Sequence, residues 1–131
     1  SAGLNIAEFD TAVRHKIPIV VVVNNDQGWG MIRHGQRTRY GSDRVVGAEL
    51  GATRYDLVAE GFGAHAEFVT TASEIGPAIK RALASGKTAC INVITDPDQP
   101  HMTSIAMAKG SLPEGEVELP YYGKKKLVPT A

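Results

Sequence analysis

The stretch Ile19-Val20-Val21-Val22-Val23-Asn24-Asn25-Asp26-Gln27-Gly28 decides the fold that this 131-residue sequence predicts. Its first five residues are all β-branched, with no alternation of polar and apolar side chains. This is typical of a parallel strand that is covered on both faces. The polar residues 24–28 are expected to end the strand as a turn. Because α/β sheets bind ligands at the carboxyl ends of their strands, this turn is the first candidate for a binding site.

Helices and strands are predicted to alternate around this strand. Ile6, Phe9 and Val13 form one apolar stripe, as in an amphipathic helix, and Ser73 is placed to cap a later helix. Residues 37–53 are polar and glycine-rich without a period, which predicts a loop. The predicted elements are helices over 4–14, 29–36, 55–60 and 74–84 and further strands over 66–69 and 89–94. Together they predict an α/β, Rossmann-like fold, a mostly parallel sheet with flanking helices.

Composition and charge exclude several classes of function. Lys and Arg number 14, Asp and Glu number 14, and no basic stripe is present, so nucleic acid is not an expected partner. The longest apolar run, 17–23, is too short to cross a membrane. Cys90 lies in an apolar run and is expected to be buried and unreactive, which fits a cytoplasmic location. A nicotinamide-binding domain is excluded because no Gly-x-Gly-x-x-Gly opens a helix after a strand.

The turn after the valine run has the chemistry of a metal–diphosphate site. The oxygens of Asn24, Asn25, Asp26 and Gln27 are hard ligands that suit Mg²⁺ or Ca²⁺. The glycines that follow allow a backbone to approach a ligand closely, and a helix beginning there would present N–H groups to phosphate. The same residue types also form ordinary turns, so the chemistry alone leaves both interpretations open.

The sequence around this turn resembles a family of enzymes. The chain begins Ser1-Ala2-Gly3-Leu4, continues with Glu8-Phe9-Asp10-Thr11-Ala12-Val13-Arg14, and then has Pro18 and the valine run into Asn24-Asn25. These features are similar to thiamine diphosphate-dependent enzymes of the acetolactate synthase, benzaldehyde lyase and 2-hydroxyacyl-CoA lyase group. The likeness extends through Phe62-Gly63-Ala64 and 89–93.

The resemblance implies a domain organisation. Residues 1–110 correspond to a C-terminal thiamine diphosphate-binding domain in partial form, and residues 111–131 to an extended C-terminal tail. The Gly-Asp-Gly with which the family's cofactor motif begins is absent, and Ser1 matches the residue that follows it. The chain is therefore expected to start just inside the motif, with the upstream part missing.

The resemblance also implies the residues of the site. Motif spacing points to the Asp26 side chain and the Gly28 carbonyl as Mg²⁺ ligands, with Asn25 and Gln27 as the alternative. The implied cofactor-binding residues are Ser1, Asp26, Gly28, Trp29, Gly30 and Met31. The substrate pocket is expected to be lined by Met31, Ile32 and Gly35, where the glycine leaves room. No catalytic residue is expected in this chain, because the family's glutamate that activates the cofactor lies in another domain, usually on a neighbouring subunit.

The implied function is that of a Mg²⁺- and thiamine diphosphate-dependent lyase or transferase. Such an enzyme cleaves or forms a C–C bond next to a carbonyl of a small substrate. The alternatives are a 2-oxo acid or acyl-CoA decarboxylase of the same family, or a non-catalytic domain that keeps the fold. The expected partners are the rest of the enzyme chain and a second subunit, in a homodimer or homotetramer, and the chain alone is expected to be inactive.

Overall fold

The structure, a computed structural model, describes residues 2–99 and, beyond them, the backbone of two short strands. The helices and strands are α1 (Glu8–Arg14), β1 (Val20–Asn25), α2 (Gly30–Tyr40), α3 (Tyr55–Gly61), β2 (His65–Val69), α4 (Ala72–Ala84), β3 (Ala89–Ile94), β4 (Glu116–Leu119) and β5 (Gly123–Lys126). The chain forms two compact units. The first contains residues 1–26 and 52–96, and the second contains 27–51 and the chain from residue 97 on.

The first unit is built on a parallel sheet in the order β1-β3-β2. Val20 pairs with Ala89 at one end of β1 and Asn25 with Ile94 at the other, while β2 begins opposite Ala89 with His65. The central strand is buried from residue 89 to residue 93. The predicted α/β fold with a parallel sheet is therefore confirmed.

Helices cover both faces of this sheet. On one face, Ala78 and Ala82 of α4 pack in a cluster with Val69 and Ile91. On the other, Phe9 of α1 and Ala59 of α3 pack with Val23 and Cys90. Successive residues of β3 point to opposite faces, so Cys90 and Ile91 belong to different clusters. Cys90 is fully buried, as the sequence predicts.

Two predictions about β1 are wrong. The strand does not end at Val23, because Asn24 and Asn25 continue its pairing with β3 and the N–H of Thr95 donates to the carbonyl of Asn25 (3.0 Å). The strand is also not covered on both faces, since Val22 is 43% exposed and, among the described residues, β1 lies at one edge of the sheet. A run of valines predicts a strand but does not reveal whether it is central or at an edge.

Helix α4 begins earlier than predicted. Ser73 lies inside the helix, and Thr71 occupies the cap position. The Glu74 carboxylate accepts hydrogen bonds from the N–H (3.1 Å) and the hydroxyl (2.9 Å) of Thr71. The Thr71 side chain in turn accepts from the backbone N–H of Glu74, which completes a capping box. The acidic partner, rather than the nearest serine, therefore determines where the helix starts.

The second unit corrects the predicted loop. Helix α2 extends to Tyr40 and a short 3-10 turn follows at Ser42–Arg44, so the beginning of segment 37–53 is helical. The Gln36 side chain donates to the carbonyl of Val46 (3.0 Å) and accepts from its N–H (3.1 Å). These contacts connect residues ten positions apart, which a search for periodicity in the sequence does not detect.

The last described elements lie in the range predicted as a C-terminal tail. Strands β4 and β5 pair in an antiparallel manner, with Glu116 opposite Lys126. The boundary at residue 110 and the extended form of 111–131 stay predictions. Within the described residues, no helix combines the length and apolarity needed to cross a membrane.

Candidate functional site

The side chain of Asn25, at the end of β1, points into the first unit. It is 5% exposed, because alternation along β1 places it on the same face as the buried Val23. Its Nδ2 donates to the carbonyl of Thr53 (2.8 Å) and to Oδ1 of Asn92 (3.1 Å). The amide of Asn25 is therefore part of the interior of the sheet layer.

Asp26 follows the strand and has different surroundings. It is half-buried, and it is the last residue of the first unit. Of the two residues that the sequence offers as side-chain metal ligands, one is thus a buried amide engaged with Thr53 and Asn92. The other is a partly exposed carboxylate, which is the stronger ligand for Mg²⁺.

A buried polar network adjoins Asn25. Asn92 is completely buried in the central strand, and its Nδ2 donates to Oδ1 of Asp56 (3.0 Å). The Asp56 carboxylate also accepts from Nε of Arg54 (2.9 Å). Burial raises the pKa of the Asp56 carboxyl, but hydrogen bonds from Arg54 and Asn92 outweigh burial, so the pKa lies below its ordinary value of 3.8. Asp56 is thus held as a carboxylate at neutral pH.

The turn at Gln27 and Gly28 belongs to the second unit. Gln27 has a φ of 58°, in the left-handed region. A Cβ on Gly28 would lie 2.7 Å from the carbonyl oxygen of Ala48 and 2.7 Å from Nη1 of Arg33. The N–H of Trp29 donates to the same Ala48 oxygen (2.8 Å). Only glycine fits at position 28 without displacing these groups.

Helix α2 starts directly after this turn. The first bond of the helix runs from the N–H of Arg33 to the carbonyl of Trp29 (2.8 Å). The N–H groups of residues 30–32 precede it and point out of the helix end, where they suit an anion. Met31 is 79% and Ile32 56% exposed, and no atom lies within 4 Å of a Cβ built on Gly35. The side chains of Met31 and Ile32 are therefore not packed in a core, whereas the apolar residues of an ordinary amphipathic helix are.

Two arginines of α2 are engaged in contacts within the second unit. Arg33 is buried, and its Nη2 donates to the carbonyl of Pro97 (3.1 Å). Arg37 forms an ion pair with Asp98. The hydrogen bond from Arg37 lowers the pKa of the Asp98 carboxyl. Both pairs connect α2 to the residues that follow β3 in the chain.

The predicted site residues thus divide between the two units. Asp26 and Asn25 belong to the first, and Gln27, Gly28, Trp29, Gly30, Met31, Ile32 and Gly35 belong to the second. Ser1 lies outside the described residues. Within the ranges that the structure describes, no three His, Cys, Asp or Glu side chains are grouped as a metal site. The residues that sequence reasoning missed are Asn92 and Asp56, although a polar residue in the apolar run 89–94 was a signal.

Comparison with known protein families places this segment. The family described as "Thiamine pyrophosphate enzyme, C-terminal TPP binding domain" matches residues 1–93, which include β1, the turn and α2. Thiamine pyrophosphate and thiamine diphosphate are the same compound.

Curated proteins with similar sequences include an acetolactate synthase and a 2-hydroxyacyl-CoA lyase. A probable acetolactate synthase of Mycobacterium bovis is 42% identical over 95 residues, which is 72% of this chain and 17% of that protein. The 2-hydroxyacyl-CoA lyase 2 of Mus musculus is 47% identical over 62 residues, 47% of this chain and 10% of that protein. The chain therefore spans about a sixth of the first relative and a tenth of the second.

Proposed function

Because this chain belongs to the thiamine pyrophosphate enzymes, as a C-terminal TPP-binding domain, we propose that its turn and α2 bind the Mg²⁺–diphosphate end of the cofactor. The observation that carries the proposal is the start of α2 directly after the turn, which Ala48 and Arg33 hold by close packing against Gly28. The N-terminus of a helix is a favourable place for a phosphate.

The proposed metal ligands are the Asp26 carboxylate and the Gly28 carbonyl. Both are hard oxygen donors of the kind that Mg²⁺ prefers. Asp26 is favoured over Asn25 because Asn25 is buried with its Nδ2 bonded to Thr53 and Asn92, whereas Asp26 is partly exposed. In the alternative pair, Asn25 and Gln27, the buried side chain of Asn25 would have to coordinate the metal.

The proposed diphosphate contacts lie at the start of α2. The N–H groups of Gly30 and Met31 and the positive end of the helix would stabilise the negative oxygens. Trp29 supports this role by holding the turn through its bond to Ala48. Ser1 completes the proposed set of cofactor-binding residues.

The proposed substrate contacts are the exposed apolar residues of α2. Met31 and Ile32 would exclude water beside the reacting carbonyl, and Gly35 would leave room for the substrate. When bound, the cofactor supplies a thiazolium that stabilises a carbanion derived from the substrate. The glutamate that activates the cofactor is proposed to lie in another domain, so the chain alone is expected to be inactive.

We propose a C–C bond-forming or bond-cleaving reaction next to a carbonyl. The relatives named acetolactate synthase and 2-hydroxyacyl-CoA lyase favour a 2-oxo acid or a 2-hydroxyacyl thioester as the substrate class. The complete enzyme is proposed to work as a homodimer or homotetramer, in which a second subunit completes the site.

The proposal is tested by replacing each candidate ligand in the complete enzyme. Asp26→Ala is expected to abolish Mg²⁺-dependent retention of thiamine diphosphate on gel filtration and activity at every Mg²⁺ concentration. Asn25→Ala is expected still to require Mg²⁺, at a higher concentration than the wild type and with lower thermal stability, because it removes two buried hydrogen bonds. Circular dichroism verifies that both variants are folded. If Asn25→Ala loses the metal dependence and Asp26→Ala keeps it, the proposed ligand assignment is wrong.

A further inference from the structure

We propose that Asp56 and Asn92 are positioning residues for the metal ligand, acting through a chain of hydrogen bonds that has one direction. The inference rests on the proposed function, because it assigns these residues a role in the Mg²⁺ affinity of Asp26. The chain of bonds runs from Asn25 to Asn92 (3.1 Å) and from Asn92 to Asp56 (3.0 Å). All three side chains are at most 5% exposed.

The charge of Asp56 determines this direction. A carboxylate only accepts hydrogen bonds, so Asn92 must turn its Nδ2 toward Asp56. The Oδ1 of Asn92 then faces Asn25, which must donate a hydrogen bond to it from its own Nδ2. That orientation of Asn25 also satisfies the carbonyl of Thr53, which again only accepts (2.8 Å). An acceptor at each end therefore fixes the orientation of both amides between them.

Asp56 is itself held in place. Arg54 donates from Nε to both carboxylate oxygens, at 2.9 and 3.2 Å, and from Nη2 to Oδ2. The Arg54 guanidinium also lies 3.8 Å from the centroid of the Phe68 ring. Arg54 thus fixes the orientation of the Asp56 carboxylate independently of the two asparagines.

The chain of bonds ends beside the proposed metal ligand. Asn25 is held through its side chain by Asn92 and Thr53 and through its carbonyl by the N–H of Thr95 (3.0 Å). Asp26 is the next residue, so these three contacts help to hold its backbone in place. An apolar set of similar volume would pack the same space without the cost of burying polar groups. A requirement for orientation accounts for retaining them.

The direction of the hydrogen bonds is tested by removing the negative charge of Asp56 while keeping the shape of its side chain. In Asp56→Asn, Arg54 still donates a hydrogen bond to the oxygen of the new amide, so the new Nδ2 faces Asn92. Asn92 must then turn its Oδ1 toward the new amide at position 56 and its Nδ2 toward Asn25. Two N–H donors, the Nδ2 groups of Asn92 and Asn25, would then face each other. If Asn25 turns as well, its Oδ1 faces the carbonyl of Thr53. One bond is lost in either case, and the residue before Asp26 is no longer held in one orientation.

The matched control is Glu67→Gln. Glu67 is also an acceptor with a lowered pKa, because Arg81 donates two hydrogen bonds to it (2.9 and 2.8 Å). It lies on β2, which does not lead to the turn. Both variants lose an ion pair in the first unit, so a merely structural role of Asp56 predicts similar behaviour for the two.

The experiment uses the complete enzyme and measures the Mg²⁺ concentration for half-maximal retention of thiamine diphosphate, together with the melting temperature. For Asp56→Asn this concentration is expected to rise about tenfold, which is the effect of losing an interaction that orients a ligand. For Glu67→Gln it is expected to stay at the wild-type value, although the melting temperature falls. The double variant Asp56→Asn with Asn92→Asp restores an acceptor for Asn25, and it is expected to recover most of the Mg²⁺ affinity.

The possible failures are distinguishable. An unchanged Mg²⁺ requirement in Asp56→Asn, or a double variant that is no better than the single one, overturns the positioning role. If Glu67→Gln raises the Mg²⁺ requirement as much as Asp56→Asn does, the effect is one of general stability and the inference is wrong. If the wild-type enzyme retains thiamine diphosphate without Mg²⁺, or never binds it, the proposed function itself fails.

Discussion

Replacing Gly28 by alanine is expected to destabilise the second unit. The new Cβ would lie 2.7 Å from the Ala48 oxygen and 2.7 Å from Nη1 of Arg33. Neither neighbour moves easily, because the Ala48 oxygen accepts the Trp29 N–H and Arg33 is buried against Pro97. Overpacking costs about 1–3 kcal/mol. Loss of the Trp29 bond adds about 1 kcal/mol, for a total of about 2–4 kcal/mol in the free energy of unfolding.

The matched control is Gly35→Ala in the same helix. No atom lies within 4 Å of its Cβ position, and alanine favours a helix interior over glycine by about 0.5–1 kcal/mol. The two substitutions add the same methyl group and are expected to change stability in opposite directions.

Urea denaturation of both variants, followed by circular dichroism, measures the two changes in free energy. A Mg²⁺ titration of cofactor retention is expected to show a weakened site in Gly28→Ala, because the carbonyl proposed to bind the metal must shift. If Gly28→Ala is as stable as the wild type within about 0.5 kcal/mol, the usual limit for substitutions of no structural consequence, the close packing at this turn is refuted.

Three further outcomes are expected. Burial, with a smaller effect of the Asp56 charge, raises the pKa of the Cys90 thiol to about 11; iodoacetamide at pH 8 should therefore leave the Cys90 peptide unlabelled in the native protein and label it after denaturation, as mass spectrometry would show. Thr71→Ala should lower the free energy of unfolding by about 1 kcal/mol, as expected for a helix cap, whereas Ser73→Ala should leave it nearly unchanged; equal losses in urea denaturation would contradict the cap assignment. The pKa values of Asp56 and Glu67 lie below their ordinary values of 3.8 and 4.5, so the stability that they contribute is complete above those values and is lost as pH falls below them. Melting temperatures measured between pH 6 and pH 3 should therefore fall less steeply in Asp56→Asn than in the wild type, and an equally steep fall would contradict this.

The sequence was sufficient to predict the α/β fold and the family. A valine run, an amphipathic stripe over Ile6, Phe9 and Val13, and the buried strand around Cys90 are local patterns. The structure confirms both strands and a helix that contains Phe9 and Val13, although this helix begins at Glu8 and leaves Ile6 in the turn before it. These patterns depend on residues close together in the chain, so they can be recognised in the sequence without knowing which elements pack against them. The resemblance to thiamine diphosphate enzymes adds the family, which the comparisons confirm over residues 1–93.

One error concerns residues close together in the chain, and the other arose where a distant residue decides. Thr71 rather than Ser73 caps α4 because the Glu74 carboxylate reaches back to it. Asn25 belongs to β1 because its pairing with Ile94 of β3 extends the strand by two residues beyond the valines. Both choices were among several that the sequence allowed, and contacts made in the folded chain selected one.

The sequence alone determined that polar Asn, Asp and Gly residues follow a run of valines that forms a strand, and its resemblance to thiamine diphosphate-dependent enzymes pointed to the family. Only the tertiary structure decided which of these side chains points inward. Asn25 meets Asn92, 67 residues further along the chain, and through it Asp56, while the neighbouring Asp26 stays partly exposed. The physical reason is that alternation assigns neighbouring residues to opposite faces, but the side that becomes the interior is set by the helices and strands that pack there.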